Sequence, residues 1–368
     1  MEVQVVDPSA FTPAYDHALC AALARTGASV SLITSRFAYG DVAAPDGYRR
    51  RELFYRRALG APGSRLRRAA KLATHVPDML RYRSVAAAAD VVHFQWLDVP
   101  GADIHLLPAR PIVLTAHDLL PREPRPGQVR AQRRLYDRAD AVIVHSAYGC
   151  RQLIEGLALC EDKVHVIHHG AFEHVASRAP DPLPPELTDT GAPVVLFFGL
   201  LRPYKGIETL LRAWPGIDGA QLWIVGRPMM DLAPLRRLMG PDVQLVARYV
   251  AEGEVSALLA RADLVVLPYE RTERFDQSGV LAGALAVGKA VVVSDIGGFS
   301  EVADVGAARL VAPGDPGALH EVLADLVASP VEREKLAVAA RRAADGPYSW
   351  DRAARETLAL YERISGSS

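Results

Sequence analysis

Two short segments, about seventy residues apart in the second half of the chain, carry residue types suited to holding a polyanion. In Phe197-Phe198-Gly199-Leu200-Leu201-Arg202-Pro203-Tyr204-Lys205-Gly206 an apolar run from Val194 stops at a glycine, and two cations follow on a tight turn. In Asp276-Gln277-Ser278-Gly279-Val280 a serine and a glycine lead into LAGALAV, which is closed by Gly288-Lys289. A strand ending at Gly199 and a helix opening at Gly206 would set Arg202 and Lys205 beside backbone N–H groups that favour anions. Ser278-Gly279 would repeat the arrangement without side-chain charge, because glycine lets a diphosphate come close to the next helix start. Together the two segments predict a nucleotide-diphosphate grip.

Such loops need elements to hold them. Short β-branched runs alternate with stretches of helical period along the chain, the pattern of parallel sheets covered on both faces. In the first half the runs begin at Val3, Ser29, Asp90, Pro111, Asp140 and Lys163, with helical stretches over 16–25, 66–85, 128–138 and 148–157. The rhythm breaks before Val194, and 179–193, rich in proline, aspartate and threonine, reads as an interdomain linker. It restarts with runs at Val194, Gln221, Val243, Leu264, Ala290 and Arg309. Helices are predicted between and after them over 206–214, 231–239, 252–261, 279–287, 315–328 and 331–344. A last helix over 349–364 is expected, with Ser349 as its N-cap. Two α/β halves of this kind leave a cleft between the carboxyl ends of their sheets, where such sheets bind ligands.

A chain of 368 residues is too long for one ordinary core, in line with two domains. Half the residues are hydrophobic and the net charge is -1, yet no apolar stretch approaches the roughly 20 residues that span a bilayer. MEVQVVD lacks the basic head and apolar body of a signal peptide. Cys20, Cys150 and Cys160 form neither a CxxC pair nor a disulfide framework, so the cytoplasm is the expected compartment. No aspartate pair at DxD spacing beside a strand end and no His/Cys cluster is present, so no metal is expected. Basic residues crowd Arg65–Arg83, with Arg67, Arg68, Lys71 and Arg81 between, and again Arg130, Arg133, Arg134 and Arg138. Both stretches read as solvated helix faces. The alternative for Arg65–Arg83 is peripheral contact of a basic amphipathic helix with an anionic membrane surface bearing the acceptor. Nucleic acid is not an expected partner, since the charges nearly cancel and no base-stacking motif accompanies the arginines.

The chain resembles a GT-B glycosyltransferase of the retaining family four (glycosyltransferase group 1 type) over nearly its whole length. FFGLLRPYKG is similar to the strand, glycine and Lys-Gly loop with which the family grips the donor diphosphate. LVVLPY at Leu264 and QSGVLAGALAVGKAVVVSDIGG through Gly298 match, in order, a strand, the diphosphate loop, a helix and the next strand. YSWDRAARETLALYERI resembles the last helix, and VHFQW, TAHD, VHS and VIHHGAF resemble the N-terminal half.

The resemblance implies an α/β fold of two Rossmann-like domains facing each other across a cleft. They would be 1–178, on the acceptor side with helix 349–364 packed back on it, and 194–346, binding a nucleotide sugar. It further implies metal-independent transfer of a sugar from a nucleoside-diphosphate sugar to an acceptor hydroxyl, with retention and no cofactor. Arg202, Lys205 and His117 would be catalytic, the cations stabilising the departing diphosphate. His117 would hydrogen-bond a sugar hydroxyl or steady the cation-like centre through its carbonyl. Donor binding would fall to Gly199, Gly226, Arg227, Tyr249, Val250, Asp276, Gln277, Ser278, Gly279 and Val280. His93 and His145 also end strands, and packing is their expected role.

One departure stands out. Where many members carry two glutamates eight positions apart, this chain has Phe275 and Gly283. Asp276 and Gln277 are candidates for contacts to donor-sugar hydroxyls, and Glu301 for the ribose or for a helix cap. Asp7-Pro8-Ser9-Ala10-Phe11-Thr12-Pro13, stiffened by two prolines, is expected to shape the acceptor side, with Tyr15 as a wall and Asp16 as a helix N-cap. Two alternatives stay open: an epimerase or phosphorylase of the same fold, and a non-catalytic protein that binds nucleotide sugars.

Overall fold

Buried on both faces, a β-branched run gains more from a parallel ladder than from a helix, and both halves of the chain are built on that preference. The computed structural model describes residues 1–121, 125–177, 179, 181–271 and 277–366. These divide into two units, the first made of Met1–His169 with the chain from Trp350 onward, the second of the chain from Gly170 to Ser349.

The first unit holds strands β1 (Glu2–Asp7), β2 (Ser29–Ser35), β3 (Arg49–Phe54), β4 (Val91–Phe94), β5 (Ile112–Thr115), β6 (Ala141–Val144) and β7 (Val164–Val166). All pairs are parallel, in the order β3-β2-β1-β4-β5-β6-β7. Its helices are α1 (Pro13–Arg25), α2 (Arg65–Ala86), α3 (Pro100–Leu106), α4 (Gln128–Arg138) and α5 (Ala147–Arg151). β3, with sequence RRRELF, lacks the apolar signature because it is an edge strand paired only with β2. The order reverses between β1 and β4, and in open sheets of this kind the crevice outside the strand ends at that point is where ligands lie.

The second unit starts with the short helix α6 (Glu173–Ser177), and residues 181–193 then form neither helix nor strand. Strands β8 (Val194–Phe198), β9 (Gln221–Val225), β10 (Val243–Val246), β11 (Leu264–Leu267), β12 (Ala290–Ser294) and β13 (Arg309–Val311) follow, each on the run that predicted it. They pair in parallel as β10-β9-β8-β11-β12-β13, so the order here reverses between β8 and β11. The helices are α7 (Ile207–Ala213), α8 (Ala233–Arg236), α9 (Glu252–Arg261), α10 (Gly279–Ala286), α11 (Phe299–Asp304), α12 (Pro316–Ala328) and α13 (Pro330–Asp345). α8 keeps only four of the nine residues predicted over 231–239. Val195, Phe197, Leu222, Val266 and Val292 are buried against α7 and α12, each such side chain contributing about 1.5–3 kcal/mol.

The last helix, α14 (Trp350–Gly366), belongs to the first unit. There Trp350 meets Tyr15 edge-on at 4.9 Å, Tyr361 reaches His93, and Arg25 of α1 pairs with Asp351 at 2.7 Å. Ser349 turns its hydroxyl back to the carbonyl of Gly346.

Candidate functional site

At the switch point of the second sheet, β8 stops at Phe198 and the chain turns through Gly199 to the short helical turn Pro203–Lys205. Three hydrogen bonds join this loop to the end of β9 and the loop after it: Gly199 N to Val225 O at 3.0 Å, Leu201 N to Arg227 O at 2.9 Å, and Met229 N to Leu201 O at 2.9 Å. The approach demands glycine, since a β-carbon on Gly226 would overlap the carbonyl oxygen of Gly199. Gly206 is equally constrained, as a β-carbon there would overlap the carbonyl oxygen of Pro268 after β11.

This scaffold buries Lys205. Its ammonium donates to the Tyr269 hydroxyl, which lies 3.2 Å from Ser278 Oγ at the start of α10. A β-carbon on Gly199 would sit 3.5 Å from Lys205 Nζ and 3.5 Å from Val280 Cγ2. The structure therefore brings together Gly199, Lys205, Ser278, Gly279 and Val280, predicted from two distant segments. To them it adds Tyr269, whose only sequence signal was its place behind the buried strand LVVL. Gln277 turns its side-chain carbonyl to Ser278 N at 3.0 Å. Asp276, together with Phe275, lies outside the described residues.

Arg202 opens the same turn, its carbonyl accepting from Lys205 N at 3.1 Å. It lines a hollow of about 430 Å³ with Gly206, Thr209, Met230, Glu270 and Gly314. Its buried Nε meets no hydrogen-bond partner among the described residues. Glu270, which the sequence did not single out, accepts from Thr209 Oγ1 at 2.6 Å in the same hollow. Of the remaining predicted donor contacts, Arg227 follows Gly226 on the joined loop, Tyr249 is 48% exposed and Val250 is buried. Arg248 next to them is held by Glu186 and Glu254, both at 2.7 Å. Gly283 is buried, and a β-carbon on it would press to 3.3 Å on the Leu259 side chain of α9, which would have to give by a few tenths of an ångström.

His117 lies in the first unit, at the end of β5. It stacks on Trp96 at 5.0 Å, meets Tyr15 edge-on at 4.6 Å, and shares a 2.9 Å hydrogen bond between Nε2 and Gln95 Oε1. Burial, then the neighbouring His145 and His169, hold its pKa well below the ordinary histidine value. A neutral ring that donates from Nε2 keeps the Nδ1 lone pair for a hydroxyl. His93 and His145 are buried and lowered to about 3, chiefly by burial. His93 bonds Tyr361 and Thr115 at 2.6 and 2.7 Å, as a packing residue does.

Asp16 is not the N-cap of α1. Proline at the first helical position starts that helix at Pro13, with Thr12 in the cap position. Asp16 is buried beside Asp7, whose Oδ2 accepts from Phe11 N at 2.6 Å and Thr12 N at 3.1 Å. Burial raises Asp7 to about 6, and burial with the charge of Asp7 raises Asp16 well above the usual carboxylate range.

The two sheets with these loops are the two Rossmann-like halves of the GT-B fold. A family model described as glycosyl transferases group 1 matches residues 192–329, and one described as glycosyltransferase family 4 matches 15–171. The chain is 30% identical over 319 residues to an alpha-maltose-1-phosphate synthase of Mycolicibacterium smegmatis, a match covering 76% of this chain and 80% of that one. It is 35% identical over 181 residues to a phosphatidyl-myo-inositol mannosyltransferase of Mycobacterium leprae, covering 47% of each. Among solved structures, sucrose-phosphate synthase from Thermosynechococcus elongatus superposes with a TM-score of 0.75 at 19% identity, over 100% of both chains. HepE of Anabaena, solved with UDP-glucose, gives 0.72 at 18% identity, over 98% of this chain and 100% of that one. The chain belongs to the group 1, family 4 glycosyltransferases.

Proposed function

We propose that the protein transfers a sugar from a nucleoside-diphosphate sugar to an acceptor hydroxyl, with retention of anomeric configuration and without a metal or other cofactor. The observation that carries this reading is the Lys205 ammonium, buried at a sheet switch point and donating to the Tyr269 hydroxyl, which in turn lies 3.2 Å from Ser278 Oγ at the start of α10. An ammonium there supplies the positive charge that a departing diphosphate needs, and N–H groups at the start of α10 add to it. Gly199, Gly226, Arg227, Ser278, Gly279 and Val280 would line the diphosphate path, with Gln277 toward the donor sugar and the 249–250 backbone toward the base. Arg202 would complete the charge when a donor occupies its hollow. Neutral His117 would accept a hydrogen bond from a sugar hydroxyl. The structural neighbour HepE, solved with UDP-glucose, is in keeping with a nucleotide-sugar donor.

Thermal unfolding with uridine, guanosine, thymidine and adenosine diphosphates in the presence of a chelator tests the reading. At least one should stabilise the protein, by about 2.7 kcal/mol at a hundredfold excess over its dissociation constant. Silence to all four, or a response that needs magnesium, would count against it. Release of nucleoside diphosphate only when acceptor is present separates a transferase from an epimerase, a phosphorylase or a binding protein.

The same reading places the protein in the cytoplasm, at a membrane surface, through α2. Leu66, Leu72, Val76 and Leu80 stand exposed on this helix among Arg65, Arg68, Arg81 and Arg83. Its single carboxylate, Asp78, is taken by Tyr55 N at 2.8 Å. Exposed leucines with flanking cations favour an anionic lipid surface over a plain solvated face. Among the described residues no helix is long and apolar enough to cross a membrane. Co-sedimentation with phosphatidylglycerol vesicles, lost in Leu72→Glu and absent with phosphatidylcholine, is the expected result.

A further inference from the structure

The switch point of the first sheet holds a carboxylate. Past β4, Asp98 lines a cavity of about 220 Å³ with Phe11, Trp96 and His117. Its Oδ2 accepts from the Ser9 hydroxyl in the loop after β1 and from the Tyr55 hydroxyl after β3, the latter at 2.9 Å. Tyr55 adopts a left-handed backbone (φ 52°), a strained conformation for a tyrosine. Behind it, His75 Nδ1 lies 2.7 Å from the Tyr55 oxygen and His75 Nε2 lies 2.5 Å from buried Asp103, which also accepts from Val99 N at 2.8 Å. A tyrosine that donates to Asp98 can only accept from His75, whose Nδ1 then carries a proton while a second proton is shared between Nε2 and Asp103. Burial lowers His75, but the hydrogen bond and charge of Asp103 outweigh it and leave its pKa raised, and burial raises Asp103 as well, so the pair keeps that shared proton. Asp98 is thus held rigidly through Oδ2, while Oδ1 accepts nothing among the described residues.

We propose that this cavity is a subsite for a neutral polyhydroxylated ring, a sugar or cyclitol, with Asp98 accepting a ring hydroxyl and the Phe11–Trp96 pair covering an apolar ring face. The proposal rests on the transferase reading and names the chemistry of its acceptor. A carboxylate accepts only, so it selects hydroxyl donors. Phe11, 59% exposed and 5.4 Å from Trp96 edge-to-face, gives the apolar wall that polar rings use. A phosphoryl group is disfavoured because Asp98 repels it. No lysine or arginine is among the described residues that line the cavity, and Lys71 is held on Ser9 Oγ at 3.2 Å and over the Tyr55 ring at 4.8 Å.

Saturation-transfer NMR on the full chain, with uridine, guanosine, thymidine and adenosine diphosphates added, tests this with methyl α-glucopyranoside, methyl α-mannopyranoside, myo-inositol and inorganic phosphate as probes. At least one of the three polyols should receive saturation. Asp98→Asn should weaken it by about tenfold or more, the loss of one charge-assisted hydrogen bond. Phe11→Ala, at an exposed site where folding is not at stake, should weaken it as well. The diphosphate signal in the same tubes reports folding and the donor reading separately. Its loss in wild type counts against that reading, and wild type that binds diphosphate but no polyol counts against this subsite. Equal polyol binding by both variants, or a response to phosphate alone, would overturn the proposal.

Discussion

The two sheets reverse their strand order in the same way, and what stands at the two reversals differs in sign. In the second unit an ammonium, Lys205, donates to the Tyr269 hydroxyl, itself 3.2 Å from Ser278 Oγ; in the first a carboxylate, Asp98, accepts from the hydroxyls of Ser9 and Tyr55. One topology therefore sets a cation at one reversal and a carboxylate at the other. The means differ too. Backbone carries the cationic site, through glycines that let loops touch, whereas side chains drawn from five separate segments carry the anionic one.

Removing the charge of the cationic cradle should have the largest effect. Lys205→Ala is expected to lower kcat/KM by about 10²–10³, and an unchanged value in steady-state assays would erase the contrast. Next comes the backbone. Gly226→Ala forces a side chain into the Gly199 carbonyl, with an expected cost of about 2–4 kcal/mol in denaturant unfolding; a neutral result would mean the loops need not touch.

In the first unit the comparison sharpens through pH. Burial lifts Asp7 from 3.8 to about 6, so the folded chain holds this proton more tightly than the unfolded one. The stability it contributes is complete below the unfolded value and fades as pH rises through about 6. Asparagine escapes that loss and can donate to Asp16. The melting-temperature advantage of Asp7→Asn over wild type should therefore grow from about pH 5 to about pH 8, by on the order of 2 kcal/mol. A constant difference would show that the pair titrates normally. Smallest is the exposed Arg25–Asp351 pair between α1 and α14: Arg25→Ala should shift stability by less than about 0.5 kcal/mol, measured by the same melts.

This contrast also explains what the sequence disclosed. The strands of the second unit were legible because burial on both faces writes itself as VVLFF or AVVVS. The cationic site was legible because close backbone contact writes itself as glycine around Lys205 and Ser278. The first unit hides more. RRRELF carries no strand signature at an edge, so Tyr55 at its end had no marked place. The chain Asp98, Tyr55, His75, Asp103 joins residues 20 to 43 positions apart with no motif between them. Asp16 misled because an acidic residue early in a helix looks like a cap when Pro13 has already begun the turn.

Calorimetric titration of wild type and Lys205→Ala with uridine, guanosine, thymidine and adenosine diphosphates, in chelator, addresses the cationic cradle most directly. Wild type should bind at least one of them, and the variant should lose at least about tenfold in affinity for it, one charge-assisted contact. Equal binding by the two proteins, or no heat from any of the four nucleotides with wild type, would contradict the account.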